Sequence, residues 1–145
     1  MTVLKALQAK YKKNITLVFG CGGERDKKKR SMMAKTAIKF CNKIYVTDDN
    51  PRRENAQKIR KTIISNLKNK NYFEIANRAK AIKDAIIKSK PFEIILVAGK
   101  GHEEYQDYGI KKIKISDKKI IKSIRTKKVS SKKINFLHNS SILKG

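Results

Sequence analysis

The sequence predicts an α/β fold: a mostly parallel sheet with helices on both faces and an antiparallel edge strand. Three observations predict it. Residues 15–19, 44–47 and 93–98 are nearly continuous apolar runs of strand length, as strands buried on both faces require. Segments of helical spacing stand between them. Each run empties into a loop punctuated by glycine, or by proline and carboxylates.

Residues 2–11 are predicted helical, with Val3, Leu4 and Leu7 on one side and Thr2 as N-cap. Strand 15–19 leads into Gly20-Cys21-Gly22-Gly23-Glu24-Arg25-Asp26. Residues 28–41 carry helical spacing through Met32, Met33, Ala37, Ile38 and Phe40, with both methionines read as core or filler. Strand 44–47 opens into Thr47-Asp48-Asp49-Asn50-Pro51-Arg52. Pro51 fixes its own φ and pushes Asn50 out of the helical region, so this loop's shape is largely preset. A second long helix covers 54–67, apolar at Ala56, Ile59, Ile63, Ile64 and Leu67.

Residues 72–75 form a short strand, and Asn77 caps a helix with Ala79, Ile82, Ala85 and Ile86 on its apolar face. Pro91 stops that helix. Strand 93–98 leads into Gly99-Lys100-Gly101-His102-Glu103. Gly109 marks a turn, and residues 110–115 alternate apolar residues with lysine, as suits an edge strand with one wet face. Ser116 caps a last helix to about residue 124. From 126 onward the chain is rich in Ser, Lys and Asn. The organisation expected is therefore one domain over 1–125 and a loose basic tail over 126–145. Parallel strands put all three punctuated loops on one rim of the sheet, where open α/β sheets grip polar ligands.

The net charge of +25 invites a nucleic-acid or membrane reading. Of the 37 basic residues, however, only seven are arginine, and the lysines are spread over almost every segment. Base and phosphate readout favours arginine in concentrated patches, so a solvated surface is the preferred reading. The alternative is a basic α/β module that binds nucleic acid or another polyanion. Cys21 and Cys41 are too far apart for a CxxC motif. With only His102 and His138 besides, no metal site is expected. No apolar run approaches the roughly 20 residues of a membrane span, and the N-terminus lacks a secretory h-region. A cytoplasmic protein is expected.

Two familiar motifs fail. The glycine loop 20–25 has Arg25 where a dinucleotide fingerprint needs its third glycine. Lys100 is followed by Gly101, not by the Ser or Thr that a P-loop uses to hold magnesium. The chain therefore has no ATP site of its own. What the loops do offer is charge of both signs. Arg25 and Arg52 are forks for carboxylates. Asn50 has a donor and an acceptor. Glu103 can take an ammonium group. Together they describe a receptor for a zwitterion. Asp48 and Asp49 either fix the turn or pair with basic neighbours, Arg30 and Arg53 are read as solvated, and Lys100 and His102 as holding their loop.

The order FGCGGERD…KR, then TDDNPR, then AGKGHE-x-YQ resembles the C-terminal domain of the MurE-type Mur ligases over about residues 4–124. These enzymes add 2,6-diaminopimelate to UDP-N-acetylmuramoyl-L-alanyl-D-glutamate in peptidoglycan synthesis. The resemblance implies a Rossmann-like domain that receives the incoming amino acid. The P-loop ATPase and the UDP-substrate pocket, with ATP and Mg2+, belong to two further domains. It also implies that meso-diaminopimelate is contacted by Arg25, Asn50, Arg52, Gly99 and Glu103. Asp49, Pro51, Lys100 and His102 would support the loops, with no catalytic residue or metal ligand here. Arginine in DNPR goes with diaminopimelate, whose distal carboxylate lysine lacks. An arginine left unpaired by lysine would penalise it by about 2–5 kcal/mol. Glu24, Lys28 and Ser31 stand where the family has aspartate, glycine and proline. The chain begins where the central domain would end, so the expectation is an excised domain, a split-gene fragment or a remnant, inactive alone.

Overall fold

The computed structural model describes residues 3–68, 70–100 and 102–128, with side chains through Ile124. The cap expected at Thr2, the loop residue Gly101, His138 and the tail from 129 lie outside the described residues. In order, the elements are α1 (Val3–Tyr11), β1 (Ile15–Phe19), α2 (Lys28–Phe40), β2 (Lys43–Val46), α3 (Ala56–Ser65) and β3 (Tyr72–Glu74). Then come α4 (Arg78–Lys88), β4 (Ile94–Val97), β5 (Tyr105–Asp107), β6 (Lys112–Lys114) and α5 (Asp117–Lys128).

Four strands form a sheet in the order β3-β2-β1-β4, and every pairing in it is parallel. The period-2 alternation of a strand then divides the core. Ile15, Leu17 and Phe19 of β1 pack with Leu4, Ala34, Ala37, Ile59 and Ile63, so α1, α2 and α3 cover one face. Val18 and Tyr45 point the other way, against Ala81, Ile82, Ala85, Ile86, Ile121 and Ile124 of α4 and α5. Because the strands are parallel, the loops after β1, β2 and β4 leave the same edge.

Several elements differ from the sequence reading. The antiparallel strand near 110–115 exists as β6, but it pairs with β5 in a two-stranded ribbon rather than along the parallel sheet. β5 was not anticipated, since Tyr105-Gln106-Asp107 has no apolar alternation. Helix α5 runs to Lys128, past the expected helix end at about residue 124. Met33 packs against the core, whereas Met32 is 56% exposed and fills nothing. The caps at Asn55 and Asn77 accept from Lys58 N at 3.0 Å and Lys80 N at 2.9 Å. Glu54, expected inside α3, precedes that cap, which frees its carboxylate for another task.

Two buried arginines fix the loop edge. Arg30, expected in solvent, is 3% exposed and grips Glu54 with both terminal nitrogens, at 2.7 and 2.8 Å. Its Nη2 also donates to the Gly22 carbonyl at 3.2 Å, so the β1 loop is tied to the start of α3. Arg78, the first residue of α4, is 1% exposed. It donates from Nε and Nη2 to the two Asp117 carboxylate oxygens, both at 2.8 Å. Nη1 reaches the Asp48 carbonyl at 3.3 Å and Nη2 the Ala98 carbonyl at 3.0 Å. One guanidinium thus joins the ends of β2 and β4 to the start of α5.

Removing one partner of such a pair leaves the other charge buried and uncompensated. Arg78→Ala should therefore lower unfolding free energy by about 3–5 kcal/mol, read from urea denaturation. A loss below about 0.5 kcal/mol, the ordinary surface value, would remove Arg78 from this role. The Arg30 hydrogen bonds hold the Glu54 carboxyl down at about 2, against an ordinary value of 4.5. A depressed carboxylate contributes stability above its unfolded pKa and loses it as pH falls toward the folded value. Thermal stability should drop as pH falls from about 4.5 to about 2, and more shallowly in Glu54→Gln. Identical acid profiles for the two proteins would contradict the clamp.

Candidate functional site

Backbone hydrogen bonds tie the β1 and β2 loops together. Gly23 N–H donates to the Asn50 carbonyl at 2.8 Å, and Thr47 N–H to the Phe19 carbonyl at 3.0 Å. A side chain at Gly23 would run into the Pro51 carbonyl, which is why the β1 loop can lie flat on the β2 loop. Gly99 has φ +112°, and a Cβ there would stand 2.7 Å from Asp49 Oδ2. The β5 strand closes the third side. Arg52 N–H donates to the Asp107 carbonyl at 2.8 Å, and Gln106 Nε2 donates to the carbonyls of Asp48 and Asp49, each at 3.0 Å.

At the centre lies Asn50, 8% exposed. Its Oδ1 accepts from Lys100 Nζ at 2.8 Å and from Asp107 N–H at 3.0 Å. Its Nδ2 donates to Glu103 Oε1 at 3.3 Å. Lys100 Nζ is also 3.7 Å from an Asp49 oxygen and 3.7 Å from a Glu103 oxygen. Burial pulls the Lys100 ammonium below its usual range, opposed mainly by Asp49 and then Glu103. Burial likewise pushes the Asp49 carboxyl up, opposed by Arg78 and Lys100. Asp48 is committed elsewhere: it pairs with Arg60 and accepts from Tyr108 OH at 2.9 Å. Both aspartates therefore pair with neighbours as well as shaping the turn.

Arg52 has φ +55°, a conformation few non-glycine residues adopt. Its half-buried guanidinium donates from Nη1 to the Gly23 carbonyl at 2.9 Å and to the Asn50 carbonyl at 3.4 Å. Arg25 is exposed, but its Cγ and Arg52 Nη1 both crowd the space above Gly22. Pro51 is buried and Glu103 is half exposed. His102 is exposed on the same loop as Glu103. Arg25, Asn50, Arg52, Gly99 and Glu103 thus lie at one end of the sheet, with Asp49 and Lys100 beneath them.

Sequence reasoning missed the framework: Arg78, Arg30, Glu54, Arg60, Gln106 and Tyr108. Nothing in a lysine-rich chain marks Arg30 or Arg78 as buried. Gln106 and Tyr108 also line a cavity of about 430 Å³ between α4, α5 and the ribbon. None of the five expected contact residues lines that cavity.

Cys21 and Cys41 are buried free thiols, and burial pushes each up to about 12, so neither is a nucleophile at neutral pH. Among the described residues, no group of three or more His, Cys, Asp or Glu could hold a metal ion. No described helix is long and apolar enough to cross a membrane. Two guanidinium groups, an amide and a carboxylate on one rim suit a molecule with both carboxylate and ammonium groups.

Comparison with known proteins shows the family. The family model described as Mur ligase, glutamate ligase domain, matches residues 1–101. The UDP-N-acetylmuramoyl-L-alanyl-D-glutamate–2,6-diaminopimelate ligase of Rickettsia conorii is 48% identical over 122 residues, covering 84% of this chain and 25% of that enzyme. An enzyme of the same description from Clostridium acetobutylicum is 44% identical over 119 residues, 82% of this chain and 25% of the relative. A solved structure of such a ligase superposes with a TM-score of 0.77 at 33% identity, over 83% of this chain and 25% of that one. The chain thus spans about a quarter of the length of these relatives. It belongs to the Mur ligase family, as the C-terminal domain of the MurE type.

Proposed function

We propose that this domain receives meso-diaminopimelate for addition to UDP-N-acetylmuramoyl-L-alanyl-D-glutamate in the cytoplasm. The observation that carries the reading is the convergence of Arg25, Asn50, Arg52, Gly99 and Glu103 on one rim, in a chain 48% identical over 122 residues to a ligase named for that reaction. In this reading the guanidinium groups take carboxylate, Glu103 takes ammonium, and the Gly99 backbone allows close approach. The distal carboxylate of diaminopimelate is the group that Arg52 selects.

These residues do not fit ATP or Mg2+. The glycine segment 99–101 lacks a following hydroxyl, and Lys100 is turned inward to Asn50, Asp49 and Glu103, away from any phosphate. In this reading ATP, the metal and the UDP-linked dipeptide are held mainly by the other domains of a full-length ligase. Acyl activation is assigned to those domains, and the chain alone is expected not to catalyse the reaction.

Calorimetric titration of the chain should show meso-diaminopimelate binding at least about tenfold more tightly than L-lysine. Arg52→Ala should erase most of that preference, a loss of about 2–5 kcal/mol for the carboxylate ligand. Equal affinity for the two amino acids in the unaltered chain would refute the assignment. In mixtures with the ATPase and UDP-substrate domains of a matching ligase, phosphate release should rise on adding meso-diaminopimelate. The chain by itself should release none. A rate insensitive to the amino acid would count against a functional domain.

A further inference from the structure

We propose that Lys100 is a positioning residue. Together with the Asp107 N–H, it locks the Asn50 side-chain amide in one orientation, so that Asn50 meets a ligand as a hydrogen-bond donor only. The consequence for the ligand rests on the diaminopimelate reading; the lock itself does not.

The geometry makes the orientation a matter of counting. Asn50 Oδ1 sits 2.8 Å from Lys100 Nζ and 3.0 Å from Asp107 N, two groups that carry hydrogens and have no acceptor to offer. Turning the amide over would set its NH2 against both, leaving three buried donors without an acceptor. The Lys100 side chain is 1% exposed, so solvent does not relieve that conflict. Asp49 and Glu103 flank the ammonium at 3.7 Å each and offset the cost of burying its charge. The side-chain assignment of Asn50 therefore follows from its neighbours.

One consequence concerns discrimination. Read from the sequence, Asn50 could serve a ligand as donor or acceptor. Here both Oδ1 positions are taken and only Nδ2 is left to serve a ligand, one of its hydrogens going to Glu103 at 3.3 Å. A carboxylate can accept from Nδ2, while an ammonium can approach only Glu103. Adjacent residues thereby sort the two charges of a zwitterion, and a ligand bound in reverse meets donor against donor and acid against acid. Asn50→Asp would still accept from Lys100 and Asp107 but would place an acceptor beside Glu103.

The test uses the 145-residue chain. By 15N relaxation, the Asn50 side-chain NH2 should be nearly as rigid as the neighbouring backbone, and Lys100→Met should lower its order parameter toward that of an exposed asparagine. By calorimetry, Lys100→Met should weaken meso-diaminopimelate binding about tenfold, but less than about twofold in an Asn50→Ala background. A residue that merely holds the loop would cost the same in both backgrounds, and that result would overturn the proposal. So would a mobile Asn50 amide in the unaltered chain. A rigid amide that Lys100→Met releases, in a chain that does not bind meso-diaminopimelate, would uphold the lock and defeat the functional reading. Should Lys100→Met not fold, Asn50→Asp decides: a stable fold with binding lost supports the donor role, and retained binding overturns it.

Discussion

The site edge of this domain depends on one buried guanidinium. Arg78 holds the carbonyls that end β2 and β4 and the carboxylate that begins α5. β1 lies between those two strands in the sheet, so no backbone ladder joins β2 to β4 directly. Without Arg78 their loops would be related only through β1, the ribbon and the side-chain contacts of Asn50 and Asp49 with Lys100 and Glu103. With it, Asn50 on one loop and Lys100 on the other are held at hydrogen-bond distance. The buried charge is tolerable because Asp117 takes it in a two-pronged pair and backbone carbonyls take two of the remaining three donors.

The same logic runs through the charge distribution. The chain has 37 basic residues against 12 acidic ones, so acids are the scarce component. Half of the acids, Asp48, Asp49, Glu54, Glu103, Asp107 and Asp117, belong to the loop edge and its clamps. Lysines elsewhere are mostly left in water, where an unpaired charge costs little. A large positive charge dispersed in this way raises solubility and general affinity for anions without building a selective surface. Selectivity resides where the carboxylates are.

Much of this was legible in the sequence, for a definite reason. Strands 15–19 and 93–98 are apolar on both faces because helices cover both faces, and that leaves an unmistakable run. Asn55 was missed and Asn77 was read correctly, although the two caps are alike in geometry. The difference is that Glu54 sits in front of Asn55 and looks like a first helical turn. Arg30 stands at the end of a run of lysines, and its burial follows from the placement of Glu54 24 residues later. Arg78 follows its cap and resembles any solvent-facing first-turn residue. Its burial follows from α4 starting beneath two strand ends, a tertiary fact that no local pattern carries. The ribbon was half legible, because β6 alternates and β5 does not. The expected contact residues stand out in the sequence because they lie in loops with unusual composition, whereas Arg30, Arg60 and Arg78 lie in helices of ordinary composition.

The site is rigid below and open above, and that division decides which contacts can discriminate. Asn50, Lys100 and Asp49 form a floor whose partners are fixed by backbone and by buried charge. Arg25 and Glu103 stand at the rim in contact with water. A charge pair at 4 Å gains only about 1 kcal/mol in bulk water and about 4 kcal/mol at an effective dielectric near 20. Rim contacts are therefore weak while solvent reaches them, and they strengthen as water is excluded. Floor contacts are available at full strength from the outset, because their ordering was completed when the chain folded. A guanidinium held by the Gly23 carbonyl and an amide held by Lys100 can reject a misfitting ligand in a way that a mobile arginine cannot. On the proposed reading, recognition by the domain alone would follow from the floor, and Arg25 and Glu103 would add to it in proportion to how dry the rim becomes.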